Sequence, residues 1–390
     1  LGWSLFLLAA AGIALRLGLP VMQPAAWLIV DVAVLAALLT RPSFTAFVLR
    51  QRMQLALGAL AILSTLWSIA PAMSAYHGVQ LVLTVMAGLL FAETVGLERM
   101  MRIVFAALLA AALISVAFNV LAPHTSTGWQ GAWKGAFGHK NTLGAMMAVL
   151  VVTAGCLLLT GWRPVLVLGA LVLGVALVGL SRSGTAILTT VVTLATLPLL
   201  LVAAGTPRTR SVAAGVVLIA VATAAAAFIA IDADPAEVAL GALGKDSSLT
   251  GRDLLWDFAA DAMAERPLLG FGFKGYWESG LPAMHVLRFA IGSDLWQFHN
   301  SFLELGVAFG PAGPLLLGLI IAASLLQAVR LVARQPSPAG VWAFAMLLLI
   351  SLQCLSETML GTNHNPMQLL FSAIVGAVAL RLAGREGGAS

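Results

Sequence analysis

Long apolar runs recur along the whole chain, and they decide what it can fold into. Each approaches the roughly 20 residues that a helix needs to cross the hydrocarbon core of a bilayer. Inside lipid a backbone must satisfy its own N–H and C=O groups, so such runs fold as helices and pack as a bundle. The alternating ten-residue segments of a membrane β-barrel are absent. Only 9% of the 390 residues are charged and 61% are hydrophobic, where soluble domains carry about 25% charged residues. The expected fold is an all-α polytopic membrane protein of about 12 transmembrane helices. The spans are read at residues 2–19, 22–39, 54–70, 76–97, 101–122, 140–160, 164–180, 184–204, 211–231, 300–328, 341–359 and 366–383. Two of the breaks rest on Leu19-Pro20 and on the charged, serine-rich turn Ser181-Arg182-Ser183. The first run leads straight into the second, which reads as a helix rather than a cleaved signal peptide.

Charge orients the bundle, because short cytoplasmic loops carry more Lys and Arg than outer ones. With the N-terminus cytoplasmic, one set of loops holds Arg41, Arg50, Arg52, Arg99, Arg102, Arg163, Arg208, Arg210, Arg330, Arg334, Arg381 and Arg385. The opposite short loops hold Lys134, Lys140 and Arg182. The C-terminus then also falls in the cytoplasm. The net charge of +5 reports this orientation and not a nucleic-acid surface. All six histidines, His77, His124, His139, His285, His299 and His364, fall on the outer side or at outer helix ends. Chemistry is therefore expected at the outer face. Cys156 and Cys354 lie inside apolar runs and are not expected to pair.

One polar stretch stands apart from the helices. Residues 232–298 are too long for a tight turn and too apolar for a disordered linker. They hold Lys245, Arg252, Arg266, Lys274 and Arg288, five of the 21 Lys and Arg. The chain thus reads as one integral membrane domain in three parts. Residues 1–231 carry spans 1–9, residues 232–299 form a long helical outer loop, and residues 300–390 carry spans 10–12 with a short tail. Within the loop, Thr250 to Glu265 is expected as an amphipathic helix, with Leu254, Leu255, Phe258, Ala262 and Met263 on its apolar face. Pro267 and the turn Leu-Leu-Gly-Phe-Gly-Phe end it, and a second short helix is read at Pro282 to Ala290.

Four motifs bring basic or polar side chains to this face. Phe298-His299-Asn300-Ser301 offers an imidazole, which exchanges protons near neutral pH and can serve as a general base. Its bland reading is an interfacial histidine with Asn300 as a helix cap. Ser181-Arg182-Ser183-Gly184 suits an anion, since a helix start has unpaired N–H groups and arginine adds a bidentate fork. The bland alternative is a snorkelling arginine that ends a span. Gly138-His139-Lys140-Asn141-Thr142 repeats the arrangement, and is otherwise a turn with an interfacial anchor. Arg252 is a second anion clamp, or a solvated arginine paired with an acid such as Asp257. Asp31 is an acid within a span, with no partner evident, and Gly361 to Pro366 is a polar outer loop. Metal-ligand spacings are lacking, as is a glycine-framed serine nucleophile, so neither metal nor cofactor is expected. Cations and helix N-termini at one membrane face suit a multiply charged anion on a lipid, such as a lipid-linked diphosphate. A transporter of lipid-linked sugars remains the rival from another class, but needs polar groups through the membrane depth.

Taken in order, Gly-x-Phe-Gly-His139-Lys140-Asn141-x-Leu-Gly, Ser-Arg182-Ser-Gly, Gly251-Arg252-x-x-Leu-Trp256 and Phe-His299-Asn300-Ser-Phe-Leu resemble one family. These motifs, with a long outer loop before His-Asn, look like the bacterial O-antigen ligases, the Wzy_C-type membrane glycosyltransferases. The resemblance implies transfer of a glycan from undecaprenyl diphosphate to a sugar hydroxyl of lipid A–core. It places that reaction at the periplasmic face of the inner membrane, without nucleotide or metal. It implies that His299 is the base or acceptor-orienting group and that Arg182 and Arg252 bind diphosphate. His139, Lys140 and Asn141 match a further motif of that family, and together with Asn300 they are expected to bind the diphosphate or substrate. O-antigen polymerases and protein O-oligosaccharyltransferases are similar in layout and stay open as alternatives.

Overall fold

The computed structural model describes residues 2–10, 21–128, 131–203, 252–282, 284–285 and 296–384. The expected span 211–231, the break at Leu19-Pro20, residues 232–251 and most of the helix read at Pro282 to Ala290 lie outside the described residues. Within them the regular elements are helices, apart from one isolated antiparallel bridge between Thr127 and Trp133.

The chain runs through α1 (Gly2–Ala10), α2 (Met22–Thr40), α3 (Pro42–Arg50), α4 (Arg52–Leu63), α5 (Pro71–Val95) and α6 (Leu97–Leu121). It continues through α7 (Lys140–Leu158), α8 (Pro164–Leu180), α9 (Gly184–Ala203) and α10 (Arg252–Glu265). After a single turn at Gly275–Glu278 come α11 (Ser301–Phe309), α12 (Ala312–Arg334), α13 (Pro338–Gln353) and α14 (Pro366–Leu382). Prolines open α3, α5, α8, α13 and α14, where the missing N–H costs nothing and the fixed φ suits a first turn.

Among the described residues, α2, α5, α6, α7 and α12 are long and apolar enough to cross a membrane, and α3 with α4 makes a sixth, bent by 82°. With the shorter apolar helices α8, α9, α13 and α14, this is a multi-pass membrane protein. Helix α7 is its axis. Every residue from Leu143 to Leu157 is buried, which is how a helix apolar on all sides must sit. Helices α6, α8, α9 and α13 pack around it. Helix α5 pairs with α14 so closely that a Cβ on Gly88 would lie 2.4 Å from the Leu369 carbonyl oxygen, the small-residue contact that lets membrane helices meet.

Three local readings change. The expected span 300–328 is two helices, α11 and α12, broken at Gly310 with φ 63°. A Cβ there would meet the Leu268 oxygen at 2.3 Å, so the break admits the backbone of the polar stretch. The expected span 341–359 stops at Gln353, which leaves residues 354–365 as a connection and takes Glu357 out of the helix. In α10 the buried residues are Leu255, Ala259 and Ala262, a spacing of one helical face. Leu254, expected on that face, is 37% exposed.

The polar stretch folds as a cap with its own core. Leu255, Ala259, Ala262, Phe271, Tyr276, Trp277 and Phe298 cluster with Val307 of α11. The turn Gly270-Phe271-Gly272-Phe273 threads between α11 and the end of α4. Phe271 N–H donates to Val307 O and Gly272 N–H to Ala308 O, both at 2.9 Å. Phe273 N–H donates to Ser64 Oγ at 3.0 Å, and Ser74 Oγ donates to Phe273 O at 2.7 Å. Both glycines have positive φ, 64° and 87°. A Cβ would strike Val307 O at 2.4 Å from position 270 and Ser68 Cβ at 2.3 Å from position 272, so only glycine fits either place.

Candidate active site

The site is built outward from Phe298. Its ring is fully buried in the cap core. Its N–H donates to Glu304 Oε2 at 3.1 Å, and its carbonyl accepts from Trp256 Nε1 at 3.1 Å. Glu304 also accepts from Trp277 Nε1 at 2.8 Å and Lys274 Nζ at 3.3 Å, so this buried carboxylate is paired and hydrogen-bonded as burial of a charge requires. The clamp fixes the backbone just before His299, which adopts φ 51°. That left-handed conformation costs about 1–3 kcal/mol away from glycine and persists only where the surroundings impose it.

Asn300 and Ser301 tie the start of α11 to the 354–365 connection. Asn300 Oδ1 caps the helix by accepting from Phe302 N–H at 2.9 Å and Leu303 N–H at 3.2 Å, and its Nδ2 donates to Leu355 O at 2.9 Å. Ser301 Oγ accepts from the N–H groups of Met359 and Leu360 at 3.0 and 3.2 Å, and Ser301 N–H donates to Cys354 O at 2.9 Å. This stitching delivers Glu357, 7% exposed, to the histidine. Glu357 Oε2 lies 2.8 Å from His299 Nδ1, and Oε1 accepts from Asn141 Nδ2 at 2.8 Å. A carboxylate at Nδ1 holds the ring proton there and leaves the Nε2 lone pair facing away. Among the described residues nothing hydrogen-bonds His299 Nε2.

The His139-Lys140-Asn141 turn meets the same cluster. His139 caps α7 through Nδ1, which accepts from Asn141 N–H at 3.3 Å. Its ring stands 6.3 Å from that of His299, at 27°. Lys140 is the first residue of α7. One turn further, a Cβ on Gly144 would lie 2.8 Å from both Ser181 Oγ and Ala186 Cβ, so the Ser181-Arg182-Ser183 turn rests on the start of α7. Arg182 has φ 48°, and its guanidinium has no hydrogen-bond or ion-pair partner among the described residues. Arg252 begins α10, but its side chain lies outside the described residues. Among the described residues, no three His, Cys, Asp or Glu side chains group as metal ligands.

His299, His139 and Asn141 thus gather around Glu357, with Lys140 and the Arg182 turn at the same helix end. Asn141 and Asn300 are committed to bonds within the chain. Glu357 and the role of Glu304 escaped the sequence reading. A signal for Glu357 existed, since an acid inside an apparent span is a functional candidate by default. Asp31, read as unpartnered, takes His364 Nε2 at 3.0 Å on its Oδ2.

The chain is similar in sequence to a described family and to a curated protein. Residues 148–318 match the Wzy_C family model, described as O-antigen ligase, a span that includes Arg182 and His299. A relative is the exopolysaccharide production protein ExoQ of Rhizobium meliloti (strain 1021), 27% identical over 329 residues, which are 82% of this chain and 75% of that protein. Together these support a membrane glycan-processing enzyme of the ligase or polymerase kind, a glycosyltransferase-like transferase of lipid-linked polysaccharides. Over residues 148–318, which include the Arg182 turn and the start of α11, the chain is similar to the Wzy_C family of O-antigen ligases.

Proposed function

We propose that the chain transfers a glycan from undecaprenyl diphosphate to a sugar hydroxyl of lipid A–core, at the periplasmic face of the inner membrane. The observation that carries this reading is His299 held by Glu357 at Nδ1, with no hydrogen bond to Nε2 among the described residues, the arrangement of an oriented general base. The acceptor hydroxyl gives its proton to Nε2 as its oxygen bonds the anomeric carbon. The bond from that carbon to the diphosphate oxygen breaks, and the electron pair leaves with the diphosphate. One displacement inverts the anomeric centre. Negative charge on the leaving group grows toward the transition state, so groups that meet it there accelerate the step. Arg182, Lys140 and the N-termini of α7 and α9 are those groups, with Arg252 brought by the cap. Glu357 stabilises the imidazolium that forms, and Asn141 and Asn300 keep that carboxylate and its connection in place.

The test is the purified full chain with undecaprenyl-diphosphate-linked glycan and lipid A–core, followed by mass analysis of the product. A ligated product that His299→Ala abolishes is the expected result, and activity within a few-fold of wild type in that variant overturns the base assignment. A second reading is favoured by ExoQ, whose name places it in exopolysaccharide production. There the acceptor is another lipid-linked glycan, and donor alone gives lengthened chains.

A further inference from the structure

A second polar cluster lies beside this site and takes no part in the chemistry above. It lines an open cavity of about 900 Å³ between α2, the start of α5 and the 354–365 connection. Asp31 Oδ2 accepts from His364 Nε2 at 3.0 Å, and the His364 ring stacks on Trp27 with centroids 4.7 Å apart. Asn363 Nδ2 donates to Gln80 Oε1 at 2.8 Å and lies 3.1 Å from His77 Nδ1. His364, like His299, is held at positive φ, 46°.

Several polar atoms here remain unsatisfied among the described residues. They are Nε1 of Trp27, which is 2% exposed, Oδ1 of Asp31 and Nε2 of His77. His77 Nε2 comes within 3.9 Å of Glu278, too far for a hydrogen bond. A buried polar atom left unpaired is costly, and three around one cavity call for an explanation. The lining has carboxylate, amides, imidazoles and an indole, but no Lys or Arg among the described residues. A diphosphate would find no Lys or Arg in this lining, since Lys274 near His77 is paired with Glu304 at 3.3 Å, and it would face Asp31. A hydroxyl-rich neutral ligand finds acceptors, donors and an aromatic wall. Leu28, Tyr76 and Val79 at the same cavity are exposed, at 64%, 57% and 47%, which gives an attached lipid chain an apolar way out into the bilayer. The cavity is also joined to the base. Asn363 and His364 stand on the connection that carries Glu357, and Glu278 belongs to the cap.

We infer that this cavity binds a neutral sugar of a membrane-anchored glycan. It is the acceptor pocket of the proposed transfer, and it rests on that reading for the word acceptor alone. Its test uses the purified full chain and a photoreactive octyl β-lactoside with a diazirine in its alkyl chain, with cross-linked peptides mapped by mass. Labelling is expected on peptides covering residues 23–31 and 75–83, displaced by plain octyl lactoside and not by octyl phosphate. Asn363→Ala, outside any helix, and Asp31→Asn each lower labelling about tenfold at sub-saturating probe. Labelling elsewhere, displacement by octyl phosphate, or wild-type labelling in a folded Asn363→Ala chain overturns the inference, whatever glycan transfer does. Loss of transfer in the wild-type chain with labelling intact removes the transferase reading and leaves a sugar site.

Discussion

Two histidine–carboxylate pairs stand at one end of this bundle, built alike and placed for different work. In each a histidine at positive φ meets an acid, His299 with Glu357 and His364 with Asp31. His299 is bonded through Nδ1, so its distal Nε2 projects away from its own backbone. His364 is bonded through Nε2, and its ring is fixed face to face on Trp27. Among the described residues the distal nitrogen has no hydrogen-bond partner in the first pair and is bonded to Asp31 in the second, so under the proposed function only the first takes a substrate proton. A histidine–carboxylate contact by itself therefore says little about catalysis, and the choice of ring nitrogen says much.

That contrast can be broken experimentally. The largest effect is expected from His299→Ala, where kcat falls roughly 10²–10⁴-fold. His364→Ala raises the acceptor KM instead, and equal kcat losses in the two variants would erase the distinction. Next comes Glu357→Gln, with kcat down roughly 10–10²-fold and thermal stability near wild type, because Gln has no charge to stabilise an imidazolium and one acceptor oxygen for the two donors His299 Nδ1–H and Asn141 Nδ2. Steady-state rates beside a melting curve decide it. Asp31→Asn comes third, with acceptor KM raised about tenfold and a smaller change in kcat, read by varying acceptor at saturating donor. Asn300→Ala is the smallest, a loss of about 0.5–2 kcal/mol from the cap of α11, seen in denaturant or thermal unfolding.

Much of the bundle was legible because length and apolarity are local properties. The α7 run from Leu143 to Leu157 needs no partner to be recognised as a buried helix. The break at Gly310 was not legible, since its cause is the Leu268 backbone arriving from the cap. The bend between α3 and α4 likewise falls where the sequence reading placed only a loop. His299, Arg182 and the 139–141 turn drew notice because imidazole and cations at helix starts are conspicuous against an apolar background. Glu357 was hidden by an overlong span, and its partners, Asn141 and His299, lie 216 and 58 residues away. Asp31 drew notice as a lone acid, yet its partner is 333 residues distant. Composition shows which residues are unusual; pairing needs the fold.

The ties that seat the cap have a bearing on when this protein comes to exist as a working object. Trp67 to Leu269, Ser74 to Phe273 and Ser64 to Phe273 join residues 202, 199 and 209 apart. Such closures are late events, since chain entropy must be overcome before the contacts return anything. A nascent chain that has threaded α7 and α9 already bears Lys140 and Arg182, but His299 has no fixed address until the glycine turn slots between α4 and α11. Under the proposed function, assembly order thus keeps a half-inserted chain chemically inert.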